Sequence, residues 1–302
     1  MTGPVPLRVA TRGSRLARWQ AQRVVELLDT PAELVVIATE GDRRTDVPIH
    51  ELGGTGIFVK EVQAAVLDGR ADVAVHSAKD LPSETPTGLV LAAVPERADR
   101  RDALIGSSLA ALPQGARVGT GAVRRRAQLA HIRPDLEFGE LRGNLDTRLA
   151  RASEYDAVVV AIAALQRLQL EPDEMHPLDF AVMLPQVAQG ALAVECRADD
   201  PRALEALACI DALAIHREVA AERAFLGAIG GGCSLPCGAL ARTVADGALV
   251  LDVLLASLDG ATVLRELVAG AVDETPADLG ARAGRVLLEE HGGAALLREL
   301  RP

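Results

Sequence analysis

Apolar positions along this chain switch between two periods in repeated blocks. Short apolar runs at 7–10, 34–38, 72–75 and 89–94 have the length and composition of buried strands. Between them, Leu16, Ala17, Ala21, Val24 and Leu28 fall near helical spacing over 15–28, with Ser14 placed as an N-cap. Val59, Val62 and Val66 do the same over 58–67. After a crossing at 95–101 the alternation resumes: strands at 117–119, 137–141 and 157–161, and helices at 122–132, 145–152 and 163–168. Strand, turn, helix in series predicts an α/β fold with largely parallel sheets. A strand at 191–196 could return to the first block, and a helix is expected over 211–229. The last third reads differently. Strands at 238–243, 248–256 and 262–268, joined through Asp246-Gly247 and Asp259-Gly260, predict an antiparallel meander covered by a helix at 276–291.

Two stretches break the pattern. Residues 40–57 are polar and glycine-rich, including Gly53-Gly54-Thr55-Gly56, as in a lid or binding loop. Gly230-Gly231-Gly232-Cys233 strips side chains from the approach to one thiol. A reactive cysteine needs such exposure and a lowered pKa; a plain helix-to-strand turn would look the same.

Composition narrows the classes. A chain of 302 residues exceeds one comfortable core. The net charge of −10 argues against nucleic acid or an anionic membrane as the main partner. The first residues have neither a basic segment nor a long apolar one, so a cytoplasmic protein is expected. Four cysteines without a repeated spacing fit neither a disulfide framework nor a zinc site, and no metal is expected. Lys60 and Lys79 are the only lysines, whereas arginine is plentiful.

The candidate chemistry gathers where strands end. Arg12, Gly13 and Ser14 follow the first strand and open a helix, a turn suited to an anion. His76-Ser77-Ala78-Lys79-Asp80 leaves the strand at 72–75, where ligands of open α/β sheets sit. Arg124, Arg125, Arg142, Arg148 and Arg167 accompany three successive strand-to-helix turns. Cations near helix starts oppose the helix dipole, which makes sense if an anionic ligand binds there; tolerated surface charge is the alternative.

Seven motifs, in order, then resemble one family over nearly the whole chain. They are Val9-Ala10-Thr11-Arg12-Gly13-Ser14 with Trp19-Gln20-Ala21; Gly53-Gly54-Thr55-Gly56-Ile57-Phe58; Ala74-Val75-His76-Ser77-Ala78-Lys79-Asp80-Leu81-Pro82; and Gly119-Thr120 leading to Arg124-Arg125. Leu141-Arg142-Gly143-Asn144 with Thr147-Arg148-Leu149, Gln189-Gly190-Ala191 with Glu195-Cys196-Arg197, and Gly231-Gly232-Cys233-Ser234-Leu235-Pro236 complete the set. The family is porphobilinogen deaminase, or hydroxymethylbilane synthase. The resemblance implies two periplasmic-binding-protein-like α/β domains around a cleft, plus a third α+β domain with a three-stranded antiparallel sheet. The expected boundaries are 1–95 with 190–209, 96–189, and 210–302.

The resemblance also implies a dipyrromethane cofactor made from substrate and fixed by a thioether to Cys233. Four porphobilinogen molecules are joined head to tail, four ammonia molecules leave, and hydrolysis frees the linear tetrapyrrole for uroporphyrinogen III synthase. A monomer is expected. Asp80 takes the catalytic role. Lys79, Ser77, Arg124, Arg125, Thr120, Gly121 and Ala122 are matched to cofactor binding. Arg12, Ser14, Arg142, Arg148, Arg167, Gln189 and Phe58 are matched to substrate. Each pyrrole carries two carboxylates, which arginine forks bind bidentately. Three departures from the family stand out: Gly121 and Ala122 replace hydroxyl residues, Glu51 and Thr55 replace loop lysines, and Cys237 adds a thiol close to Cys233. A two-lobed solute-binding protein would share the fold without needing Cys233, and a silent relative would have lost Asp80 or Cys233.

Overall fold

The structure, a computed structural model, describes residues 5–39, 59–231 and 235–300. The chain divides into two compact units, Met1–Ala98 with Gly190–His216, and Asp99–Gln189 with Arg217–Pro302. The expected crossing at 95–101 contains the first boundary. The glycine-rich stretch 40–57, Phe58 and Cys233 lie outside the described residues.

The first unit is built on a five-stranded sheet. In chain order its elements are β1 (Leu7–Arg12), α1 (Arg15–Leu27), β2 (Ala32–Ile37), α2 (Lys60–Leu67), β3 (Val73–Ser77) and β4 (Leu89–Ala93). A later strand, β10 (Leu192–Arg197), returns to it and is followed by α6 (Pro201–Ala208). The strand order is β2-β1-β3-β10-β4; β1, β2 and β3 are parallel, and β10 is antiparallel to both neighbours. Ser14 caps α1, its hydroxyl accepting from the Ala17 N–H at 3.2 Å. One face of the sheet packs Val9, Val73, Val75, Leu192 and Val194 against Ala21 and Val24 of α1 and Leu207 of α6. The other packs Ala10 and Ala74 against Val62, Ala65 and Val66 of α2. A sheet covered on both faces explains why its strands read as continuous apolar runs rather than alternating ones.

The second unit repeats that plan. Its elements are β5 (Asp102–Ile105), β6 (Arg117–Gly119), α3 (Val123–Ile132), β7 (Glu137–Gly139), α4 (Leu145–Ala150), β8 (Ala157–Ala161), α5 (Ile162–Leu168) and β9 (Met175–Pro177). The order is β7-β6-β8-β5-β9, again three parallel strands followed by an antiparallel one and an edge. In each sheet the antiparallel member is the first strand after the chain enters that unit from the other.

The same unit holds α7 (Leu213–Ala228) beyond its first turn, then β11 (Cys237–Thr243), β12 (Leu249–Ala256) and β13 (Val263–Ala269) as an antiparallel sheet. It ends with α8 (Pro276–Arg285) and α9 (Gly293–Leu300). Leu240, Leu254 and Ala256 pack with Ala127 of α3 and Leu184, joining this sheet to the α/β part. Two buried glutamates on α7 reinforce the join. Glu222 accepts from the N–H groups of Ala188 at 2.6 Å and Ala241 at 2.8 Å, and Glu218 accepts from Thr243 N–H at 3.0 Å.

Four elements lie outside the hydrophobic pattern: β5, β9, α6 and α9. The two strands are too short for a period to show, and β5 begins inside the charged run Asp99-Arg100-Arg101-Asp102. The closing helix also differs from its expected 276–291 span. It gives way to a π-turn at Val286–Glu290, and α9 follows a glycine pair in which a Cβ on Gly293 would meet the Leu287 carbonyl at 2.6 Å.

Candidate active site

In the first unit, β3 delivers its last residues straight into a single 3-10 turn, Ala78–Asp80. Ser77, Lys79 and Asp80 are half-buried, while Ala78 is buried and anchors the turn. The Ala78 N–H donates to the carbonyl of Ala191 at 3.0 Å, and the Leu81 N–H closes the turn onto Ala78 at 3.2 Å. Asp80 thus sits on a short, restrained turn at the carboxyl end of a central strand. Arg12 ends the adjacent strand β1, and Ser14 spends its oxygen on the helix cap. Cys196, on β10, is no rival nucleophile, because burial pushes its thiol up to about 11.

In the second unit, the sequence-matched residues fall into two groups. Arg124 and Arg125 occupy the first turn of α3 and are buried at 4% and 5% exposure, against a fully buried Asp102. Arg124 donates to Asp102 Oδ2 at 2.8 Å and to the Leu184 carbonyl at 2.9 Å. Arg125 donates to Asp102 Oδ1 at 2.7 Å and to the Val159 carbonyl at 2.9 Å. Gln189 is also buried, giving its amide to Asp102 Oδ1 at 3.0 Å and to the Arg100 carbonyl at 2.8 Å. Burial alone would raise the Asp102 pKa, but the charges of Arg124 and Arg125 and their hydrogen bonds outweigh it and hold the carboxyl far below the usual range. Two guanidinium groups around one carboxylate leave a buried excess of positive charge, and Arg125 Nε has no hydrogen-bond partner among the described residues.

The second group is more open. Arg142 and Arg148 are half-buried beside the exposed Gly143-Asn144, where Arg148 Nε donates to the Gly143 carbonyl at 2.9 Å and Asn144 caps α4 by accepting from Thr147 N–H at 2.9 Å. Thr120 is buried, and its hydroxyl oxygen accepts from the Ala122 N–H at 3.3 Å. A Cβ at Gly121 would stand 3.1 Å from the Leu141 carbonyl, so a hydroxyl residue fits there only if that backbone shifts.

The expectation of arginines at three helix starts holds only for α3. Arg148 and Arg167 lie in the last turns of α4 and α5, where a cation complements the helix dipole. The reason is length: helices of six and seven residues bring a residue placed one turn in to the far end. Sequence reasoning also missed Asp102. Its signal was an acid directly before the apolar Ala103-Leu104-Ile105, a position that buries it with its strand.

One α/β unit thus carries a carboxylate on a turn at the end of a strand, and the other a cluster of guanidinium groups around a buried acid. Comparison with known proteins makes this specific. Residues 7–205 match the model described as "Porphobilinogen deaminase, dipyromethane cofactor binding domain", and residues 216–289 match "Porphobilinogen deaminase, C-terminal domain". A porphobilinogen deaminase of Acidothermus cellulolyticus is 47% identical, over 93% of this chain and 88% of that protein. That of Syntrophotalea carbinolica is 46% identical, over 93% and 92%, and that of Moorella thermoacetica 43%, over 98% and 97%. Among solved structures, a periplasmic binding protein from Brucella ovis with glutathione bound gives a TM-score of 0.39 at 14% identity, over 74% of this chain and 68% of that one. The chain belongs to the porphobilinogen deaminase family. It is a transferase of tetrapyrrole biosynthesis, a hydroxymethylbilane synthase that condenses porphobilinogen on a dipyrromethane cofactor.

Proposed function

We propose that Asp80 is the catalytic carboxylate of this condensation and that Cys233 carries the cofactor. The observation behind the first assignment is the restrained turn at the end of β3, which holds Asp80 half-exposed on a rigid scaffold. Loss of ammonia from an aminomethyl pyrrole leaves a cation. A carboxylate beside the pyrrole N–H stabilises that charge and relays protons, and preorganised charge of this kind is worth roughly 3 kcal/mol. Lys79, next in the chain, adds a positive charge that binds substrate carboxylate, with Ser77 as a neutral donor.

The donor set fits a cofactor bearing four carboxylates. Arg124 and Arg125 supply buried positive charge in excess of Asp102, with a guanidinium nitrogen still unpaired. The N–H groups of Gly121 and Ala122 take the place of side-chain hydroxyls, beside Thr120. Arg12, Arg142, Arg148 and Arg167 receive carboxylates of the incoming ring, with Ser14 and Phe58 completing the substrate contacts, while the buried Gln189, matched to substrate by resemblance, acts through Asp102. When bound, the dipyrromethane supplies the pyrrole carbon to which the first new ring is joined. The thioether keeps every elongating chain on one molecule, turning successive additions into intramolecular events.

We further assign three domains, 1–95 with 190–209, 96–189, and 210–302, and a cytoplasmic monomer whose product passes to uroporphyrinogen III synthase. Two facts support the location and the lack of a membrane partner: the net charge of −10, and the lack, among the described residues, of any helix long and apolar enough to cross a membrane.

Intact mass of the purified protein, followed by mapping of the peptide that contains Cys233, tests the attachment. An added mass of two pyrrole units on Cys233 is expected. A chain that stays unmodified after incubation with porphobilinogen, or one modified on Cys237, would overturn the assignment.

A further inference from the structure

Three buried polar side chains of the first unit are unused by the chemistry above. Glu195 on β10, His76 on β3 and Gln63 on α2 meet where α2 covers the sheet, amid Ala10, Ala74, Val62 and Val66. Gln63 Nε2 donates to Glu195 Oε2 at 2.9 Å. His76 Nε2 lies 3.2 Å from the same oxygen, an ion-pair distance without hydrogen-bond alignment. Glu195 Oε1 has no hydrogen-bond partner among the described residues. Burying a carboxylate this poorly paired is costly, and well-packed apolar residues would serve stability better. A native group left in that state needs a reason beyond packing.

Its place in the sheet supplies one. Opposite β3, Leu192 pairs with Ser77, Ala193 with His76 and Glu195 with Ala74. His76 and Glu195 are therefore diagonal neighbours on one face. His76 is the residue from which the chain enters Ser77 and the Ala78–Asp80 turn, and the Ala78 N–H is bound to Ala191, just ahead of β10. Side chain and backbone thus tie the entry of the turn to the same strand. Gln63 adds a third tie, from the helix covering that face.

We propose that Glu195, acting through His76, is a positioning residue for Asp80. It fixes the end of β3 so that the Asp80 carboxylate keeps its aim during successive additions. The proposal rests on the assignment of Asp80. Glu195 is itself 0% exposed and reaches no substrate, so its effect passes through the strand. A carboxylate stabilising a developing charge loses most of its value when displaced, about 100-fold for a 1 Å error.

The test compares full-length, cofactor-loaded wild type with Glu195→Gln, His76→Gln, Gln63→Met and Asp80→Asn, expressing turnover per loaded molecule. Glu195→Gln should lower kcat by about 30- to 100-fold with KM within about 3-fold, and with loading and Tm near wild type. Adding His76→Gln should cost no further turnover, because the two residues act as one unit. Glu195→Gln should likewise add nothing in the Asp80→Asn background. Gln63→Met, which removes the aligned donor, is read in the same way should Glu195→Gln fail to fold. Wild-type kcat in a loaded, folded Glu195→Gln or Gln63→Met variant would overturn the proposal, as would a loss confined to KM or to the loaded fraction. Wild-type turnover in Asp80→Asn would instead remove the assignment of Asp80 and this proposal with it.

Discussion

The two five-stranded sheets share one strand order, yet their antiparallel strands use a buried acid in opposite ways. In the second unit, Asp102 is the first residue of β5, level with Ala161 at the carboxyl end of β8. Both its oxygens are paired, by two guanidinium groups and one amide. In the first unit, Glu195 is the fourth residue of β10, level with Ala74 and three pairs deeper, and one of its oxygens is bare. An acid at the strand mouth gathers two guanidinium groups around it. An acid set deeper leaves the mouth to the Ala78–Asp80 turn, so that lobe presents a carboxylate. One topology thus places its buried acid at two depths, three pairs apart.

The comparison can be broken most severely at Asp80. Asp80→Ala should reduce kcat by about 100- to 1000-fold, since it removes a charge placed for the transition state. Its melting temperature should barely move, because a half-buried turn residue contributes little packing. Near-normal turnover would mean that the first lobe does not supply the catalytic carboxylate.

Asp102→Asn should behave in the opposite sense, losing roughly 3 kcal/mol of stability because two buried guanidinium groups lose their counter-charge. Denaturant unfolding measures this; a loss of activity at unchanged stability would put Asp102 in the chemistry instead. The pH dependence follows from the same pair. The folded-state pKa of Asp102 lies below its unfolded value of about 4, so its stabilisation is complete above that pH and is lost as the pH falls further. Acid unfolding should therefore contain a component that Asp102→Asn abolishes, and matching acid profiles for the two proteins would contradict the charge assignment.

The smallest effects test the likeness of the lobes rather than their difference. Ser14 and Asn144 cap α1 and α4 by the same bond to the third residue on, so each change to alanine should cost about 1 kcal/mol. Clearly unequal losses would show that the short α4 draws its stability from elsewhere.

Much of this was legible in the chain. The apolar runs gave the parallel strands, Ser14 its cap, and the turns at Asp246-Gly247 and Asp259-Gly260 the meander. The motifs around Asp80 and Arg124-Arg125 carried the family. β5 and β9 were not legible, because four and three residues hold no period and, unlike the equally short β6 and β7, neither leads into a helix of a repeated strand-turn-helix block. The fate of Arg124 and Arg125 was hidden too. They look alike in sequence to Arg142 and Arg148, but a distant aspartate buries one pair and leaves the other half-open.

The sequence alone determined the local choices: which segments are strands, where helices start, and which residue types are available for carboxylate chemistry. These depend on propensity and period, which act over a few neighbours. Only the tertiary structure decided that β5 and β10 insert antiparallel in equivalent places, that Asp102 gathers two arginines and Gln189, and that Glu195 lies beside His76 on the strand that enters the Ala78–Asp80 turn. Those pairings join residues from 22 to 132 positions apart, and their energies exist only once burial has removed the water that would otherwise screen them.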